Sequence, residues 1–121
     1  MTDIMLISGG TLIDGTGADP RPNGGIAVAG NQIVALGNEA TSVVNDLKIE
    51  EVIELDATGK TIMPGLIDSH LHCSFDDVQS NDELFFHRDP TLVALVAAQN
   101  LRKMLRAGVT SFVDPDTSHG I

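Results

Sequence analysis

The stretch Pro64-Gly65-Leu66-Ile67-Asp68-Ser69-His70-Leu71-His72 decides how this chain reads. After a proline–glycine turn it predicts a short, buried apolar strand, Leu66 to Leu71, that delivers two histidines to its end. Side chains at i and i+2 share one face of a strand, so the spacing points His70 and His72 one way and Leu71 the other. Two imidazoles converging there make half of a possible metal site. Zinc and related ions take at least three protein ligands, with an open position for water where they catalyse hydrolysis. The spacing alone leaves a second reading open, in which both histidines are ordinary hydrogen-bonded residues.

The residues that follow predict where this strand sits. Ser74 to Arg88 reads as a polar loop carrying Asp76, Asp77, Asp82 and Glu83, an acidic run expected to be solvated. Asp89-Pro90 reads as an N-cap followed by proline at the first helical position, and Thr91 to Ala107 as a helix with an apolar stripe through Leu92, Leu95 and Val96. Arg102, Lys103 and Arg106 near its end suit the helix dipole, and Gly108 is the stop. Val109 to Val113 is a second strand. Strand, helix, strand in this order predicts a βαβ unit with parallel strands. His70, His72 and Asp114 then fall at the C-terminal strand ends, where α/β folds place their chemistry.

Upstream, residues 1–63 read as β throughout. Short apolar runs at Ile4 to Ile7, Thr11 to Ile13, Gly25 to Val28, Gln32 to Leu36 and Val52 to Leu55 alternate with turns. Gly30-Asn31 is placed for a tight hairpin with a primed turn. Asp14 to Gly17 and Asp19 to Gly25 read as loops, and Ala57 to Lys60 as a further turn.

The chain has 121 residues, 42% of them hydrophobic, enough for an ordinary globular core. Seventeen acidic against seven basic residues give a net charge of -10, and no basic cluster could track phosphates. Nucleic acid and anionic membranes are therefore not expected partners. The single cysteine, Cys73, has no partner for an internal disulfide, which fits a reducing, cytoplasmic setting. No apolar run is long enough for a membrane span.

The context of the histidines narrows their meaning. The run from Ala57 to His72 closely resembles the N-terminal metal motif of the amidohydrolase superfamily. Ile13-Asp14-Gly15-Thr16-Gly17 and Asn31 to Gly37 look like the hairpins that precede that motif, and Ala107-Gly108-Val109-Thr110-Ser111 resembles the second barrel strand. Val113 stands where an arginine often precedes the acidic residue at Asp114, which leaves the subfamily open.

The resemblance implies part of a (β/α)8 TIM-like barrel, its first two strands and one helix, joined to an N-terminal β-sandwich segment. Residues 1–63 would be the sandwich segment and 64–121 the first βαβ unit of the barrel. It also implies a metal-dependent hydrolase of C–N bonds in amides, cyclic amides, ureas or carbamates, with His70 and His72 as ligands of a divalent ion, zinc being the expected one. The family's remaining ligands and its general base, an aspartate on the eighth strand, have no counterpart here, so no catalytic residue is assigned. A barrel takes about 250 residues. The chain is expected to be part of a longer enzyme acting on a small-molecule substrate, homo-oligomeric when complete, or one subunit of a split enzyme whose second chain supplies the remaining barrel. The reading from a different class is an inert remnant acting as a binding module.

Other residues carry weaker expectations. Asp68 is placed to orient His70 or to make a strand-end hydrogen bond. Cys73 points away from the histidines if the strand continues. His87, in the loop after the first strand, reads as a solvated surface residue, and His119 as an ordinary loop residue.

Overall fold

The computed structural model describes residues 4–46, 52–76 and 78–117, in two units divided between Pro64 and Gly65. His119 and Asp77 lie outside the described residues.

The first unit is built on a five-stranded sheet of β1 (Ile4–Leu12), β2 (Arg21–Ala29), β3 (Gln32–Leu36), β4 (Val52–Asp56) and β5 (Thr61–Ile62). β2 lies antiparallel between β1 and β3, while β4 and β5 follow one another along the other edge of β1, both parallel to it. The β2–β3 hairpin closes through Gly30-Asn31, as its sequence predicts, with a positive φ of 60° at Gly30.

A bulge in β1 decides which core each of its side chains joins. Ile7 pairs with Ile26 but Gly10 with Gly24, so β1 carries one extra residue there, and Gly9 takes a φ of 83°. The alternation slips by one. Ile4 and Leu6 pack with Ala27, Ala35, Ala40 and Val44, whereas Leu12 joins Ile7, Ile26, Ala57 and Ile62 in a second cluster.

Two expectations for this half are corrected. The segment Asp19 to Gly25 is not all loop, because Arg21 pairs with Leu12 and Gly24 with Gly10. A strand partner outweighs the local turn preference, and Pro22 is tolerated at the register irregularity, where a ladder donor is not needed. The half is also not β throughout, since α1 (Glu39–Asp46) follows β3. Ala40, Val43 and Val44 have the i, i+3, i+4 spacing of a helix face, and Ala40 and Val44 are buried on the sheet.

The second unit contains β6 (Leu66–Asp68), a π-helical turn at Glu83–His87, α2 (Pro90–Arg106) and β7 (Val109–Phe112). β6 and β7 run parallel, as a βαβ unit requires. Asp89 caps α2 by accepting the Thr91 N–H at 2.7 Å, and Pro90 occupies the first turn.

Three expectations here are corrected. The buried face of α2 is Val93 and Ala97, while Leu92 and Leu95 are exposed. The loop Ser74 to Arg88 contains the helical turn, begun by Ser80, whose hydroxyl accepts the Glu83 N–H while the Glu83 carboxylate accepts the Gln79 N–H, close to a capping box. The strand of the histidines ends at Asp68 instead of Leu71, and its Leu66 and Ile67 are exposed, not buried.

β6 and β7 meet closely at their start. Thr110 is an extra residue on β7, between the pairs Leu66–Val109 and Ile67–Ser111, and its side chain occupies the space over Gly65. Any Cβ at position 65 would overlap the Thr110 hydroxyl and methyl groups.

The fold is thus mixed α/β with two sheets. Among the described residues no helix is long and apolar enough to cross a membrane.

Candidate metal-ligand site at the end of β6

The histidines lie just past β6, where its pairing with β7 is interrupted and then resumes. The Val113 N–H donates to the Asp68 carbonyl at 2.9 Å. A regular parallel ladder would next have the His70 N–H donate to the Val113 carbonyl. The Asp68 carboxylate takes that N–H instead, at 3.1 Å, and Leu71 makes the ladder bond at 3.0 Å. One residue is thereby inserted between Asp68 and Leu71, a bulge of the kind that re-aims side chains beside functional sites. Asp68 makes the strand-end hydrogen bond and acts on the backbone of His70.

The two imidazoles come together, edge to face, with ring centroids 5.1 Å apart. His70 is exposed and His72 half-buried. Nδ1 of His72 lies 3.0 Å from the Asp116 carbonyl oxygen and 3.4 Å from Oδ1 of Asp114. Both neighbours are acceptors, so the tautomer that fits them has its proton on Nδ1 and its lone pair on Nε2. The other side of the His72 ring stacks on Phe75, centroids 4.3 Å apart and planes within 10°, and Phe75 in turn meets Phe85 edge to face.

Asp114 organises the backbone behind this pair. Its carboxylate accepts the Cys73 N–H at 2.8 Å, the Asp116 N–H at 3.2 Å and the Cys73 thiol. Burial alone would raise its pKa, but the donors from Cys73 and Asp116 and the nearby His72 outweigh that and hold it below the ordinary carboxylate value. Cys73 is buried, and burial together with the Asp114 carboxylate pushes its thiol up.

The neighbouring loop is less freely solvated than its acidity suggests. Arg88 grips Asp76 with both guanidinium nitrogens, and Asp82 pairs with His87 at 2.8 Å, both of the latter exposed. Among the described residues no three His, Cys, Asp or Glu side chains are grouped so as to hold a metal ion. His70 and His72 together fit two positions of a ligand set, with His72 presenting Nε2.

Comparison with known proteins identifies the family. A sequence profile of the amidohydrolase family matches residues 61–120, the span that contains β6, both histidines and β7. The chain belongs to the amidohydrolase superfamily. Among relatives, the N-acyl-D-aspartate deacylase of Alcaligenes xylosoxydans xylosoxydans is 45% identical over 68 residues, covering 56% of this chain and 12% of that protein. The 5'-deoxyadenosine deaminase of Methanococcoides burtonii is 26% identical, covering 94% of this chain and 28% of that protein. The crystal structure of A. niger ochratoxinase superposes with a TM-score of 0.78 at 26% identity, over 94% of this chain and 26% of that one. The chain therefore spans between about an eighth and just over a quarter of the length of these amidohydrolase relatives.

One part of the site escaped the sequence reading. Asn100, on α2, donates from Nδ2 to the Cys73 carbonyl at 2.9 Å and to the Phe75 carbonyl at 2.7 Å. The signal was a polar residue on the same helical face as the buried Val93 and Ala97, at i+7 and i+3 from them.

Proposed function

We propose that this chain is part of a metal-dependent amidohydrolase that cleaves C–N bonds, with His70 and His72 as two ligands of a divalent ion, zinc for preference. The observation that carries the reading is the His70–His72 pair itself. Two imidazoles meet edge to face just past the end of a parallel strand, and the acceptors at Nδ1 of His72 leave Nε2 to ligate. Imidazole nitrogen is a donor well suited to zinc, and a ligating histidine ordinarily donates its other N–H to a carbonyl or carboxylate, as His72 does here.

A divalent ion bound there supplies Lewis acidity, which lowers the pKa of water and polarises a substrate carbonyl. The chain's own part is to hold and orient ligands. The Asp68 bulge sets the direction of His70, the Asp116 carbonyl and Asp114 fix the tautomer of His72, and Phe75 shields one face of its ring. Among the described residues no third His, Cys, Asp or Glu is grouped with the pair so as to hold an ion, and in this reading the remaining ligands and the general base are supplied by further polypeptide, in cis or on a second chain. Unit 2 is then the first βαβ unit of a (β/α)8 barrel and unit 1 a β-sandwich segment. Deacylase and deaminase relatives, named for the removal of N-acyl and amino groups, support C–N bonds as the bonds cleaved.

Metal analysis of the purified protein, with the remaining barrel supplied in cis or as a second chain, tests this. A divalent ion in stoichiometric amount, lost in the His70→Ala/His72→Ala variant, is the expected result. Absence of metal after incubation with zinc, or its retention in the double variant, overturns the reading and favours an inert binding module.

A further inference from the structure

We propose that Asn100 is a positioning residue for His72, holding the turn after β6 so that this histidine presents Nε2. The proposal deepens the metal reading above and rests on it for what the positioning serves.

Asparagine is a poor choice for the interior of a helix, where its side chain competes for backbone hydrogen bonds. Asn100 nevertheless lies in the eleventh position of the 17-residue α2, half-buried on the face that carries Val93 and Ala97. Its side-chain amide has two N–H donors and makes two bonds, to the carbonyls of Cys73 and Phe75. Those carbonyls flank Ser74, which is fully buried, in a turn closed by the Phe75 N–H to the His72 carbonyl at 3.4 Å. Carbonyls in such a turn have no ladder partner and need a donor from elsewhere.

The two anchored residues are the ones that set the His72 ring. Cys73 is its covalent neighbour, already gripped through its N–H by Asp114. Phe75 carries the ring stacked on the imidazole. Fixing both carbonyls to α2 holds one face of the imidazole against Phe75 while Nδ1 meets Asp116 and Asp114. Release of the turn would let Phe75 swing away and let Nδ1 leave its acceptors. A side chain with no direct approach to the ion would thus act on ligand orientation, which typically changes metal affinity tenfold or more.

The test compares the full chain with its Asn100→Ala, Asn100→Asp and Asn100→Gln variants. Long-range proton–nitrogen spectra at mildly alkaline pH read the His72 tautomer, and cobalt(II) titration with the remaining barrel supplied in cis or as a second chain, followed by visible absorption, reads affinity. The unaltered protein is expected to show the Nδ1–H tautomer and slowly exchanging Asn100 side-chain amide protons. The Ala and Asp variants, neither with an amide donor, should lose the single tautomer and bind cobalt roughly tenfold more weakly. The Gln variant, which keeps the donors, should recover part of both. Unchanged His72 spectra and cobalt affinity in a folded Asp or Ala variant overturn the proposal. So do rapidly exchanging Asn100 amide protons in the unaltered protein, a measurement that needs no variant to fold. Failure of the metal reading shows separately, as absence of cobalt binding by the unaltered protein, and the tautomer spectra then still decide the role of Asn100.

Discussion

Asp114 reaches back 41 residues to accept the backbone N–H of Cys73 at 2.8 Å, and the same carboxylate accepts the Cys73 thiol. Replacing it by asparagine keeps an oxygen for the N–H but removes the charge. Hydrogen bonds to charged groups exceed neutral ones by about 1 kcal/mol, so Asp114→Asn should lower stability by about 1–2 kcal/mol in urea denaturation. The thiol should move in the opposite sense. Without the carboxylate it returns toward its ordinary value of 9.0, and iodoacetamide should modify Cys73 severalfold faster near neutral pH. Equal rates in the two proteins would show that burial alone governs this thiol.

Gly65 and Thr110 form a steric pair at the start of β6 and β7. A methyl group at position 65 overlaps the Thr110 side chain, so Gly65→Ala should cost roughly 1–3 kcal/mol, the range of core overpacking. The Gly65→Ala/Thr110→Gly protein should lose less than the sum of its single changes. Additive denaturation free energies in this double-mutant cycle would deny the contact.

Helix α2 depends on its cap. Asp89→Ala removes the acceptor of the Thr91 N–H and should destabilise by about 0.5–2 kcal/mol, with asparagine recovering most of the loss. The urea midpoint should shift while the slope stays constant.

Acid should weaken the first unit through two surface turns. Asp14 is held below the ordinary 3.8 by the Thr16 hydroxyl and N–H, and Asp56 by the hydroxyl and N–H of Thr58. A carboxylate with a depressed folded-state pKa contributes stability that is full above its unfolded value. That contribution is lost as pH falls through the lowered folded value. Stability should therefore decline below 3.8, and the Asp14→Asn/Asp56→Asn protein should decline less over the same interval. Parallel pH profiles of the two proteins would refute the assignment.

What was legible in the residues was local. Asp89-Pro90, Gly30-Asn31 and the parallel order of β6 and β7 each follow from a few neighbouring side chains or from connection length, and each is found as expected. Helix α1 and the Ser80–Glu83 turn had local signals too, the 40, 43, 44 spacing and a Ser-X-X-Glu pattern, but short polar helices between strands are easily read as loop.

The sequence by itself determined the family, because the motif from Ala57 to His72 and the strand after α2 are contiguous patterns, and it singled out His70 and His72. Only the tertiary structure decided how those histidines are held. The bulge after Asp68, the acceptors at Nδ1 of His72 and the grip of Asn100 on Cys73 and Phe75 join residues distant in the chain or divert a backbone hydrogen bond to a side chain. Such bonds depend on which carbonyls and amides the packing leaves without ladder partners, and no linear spacing encodes that.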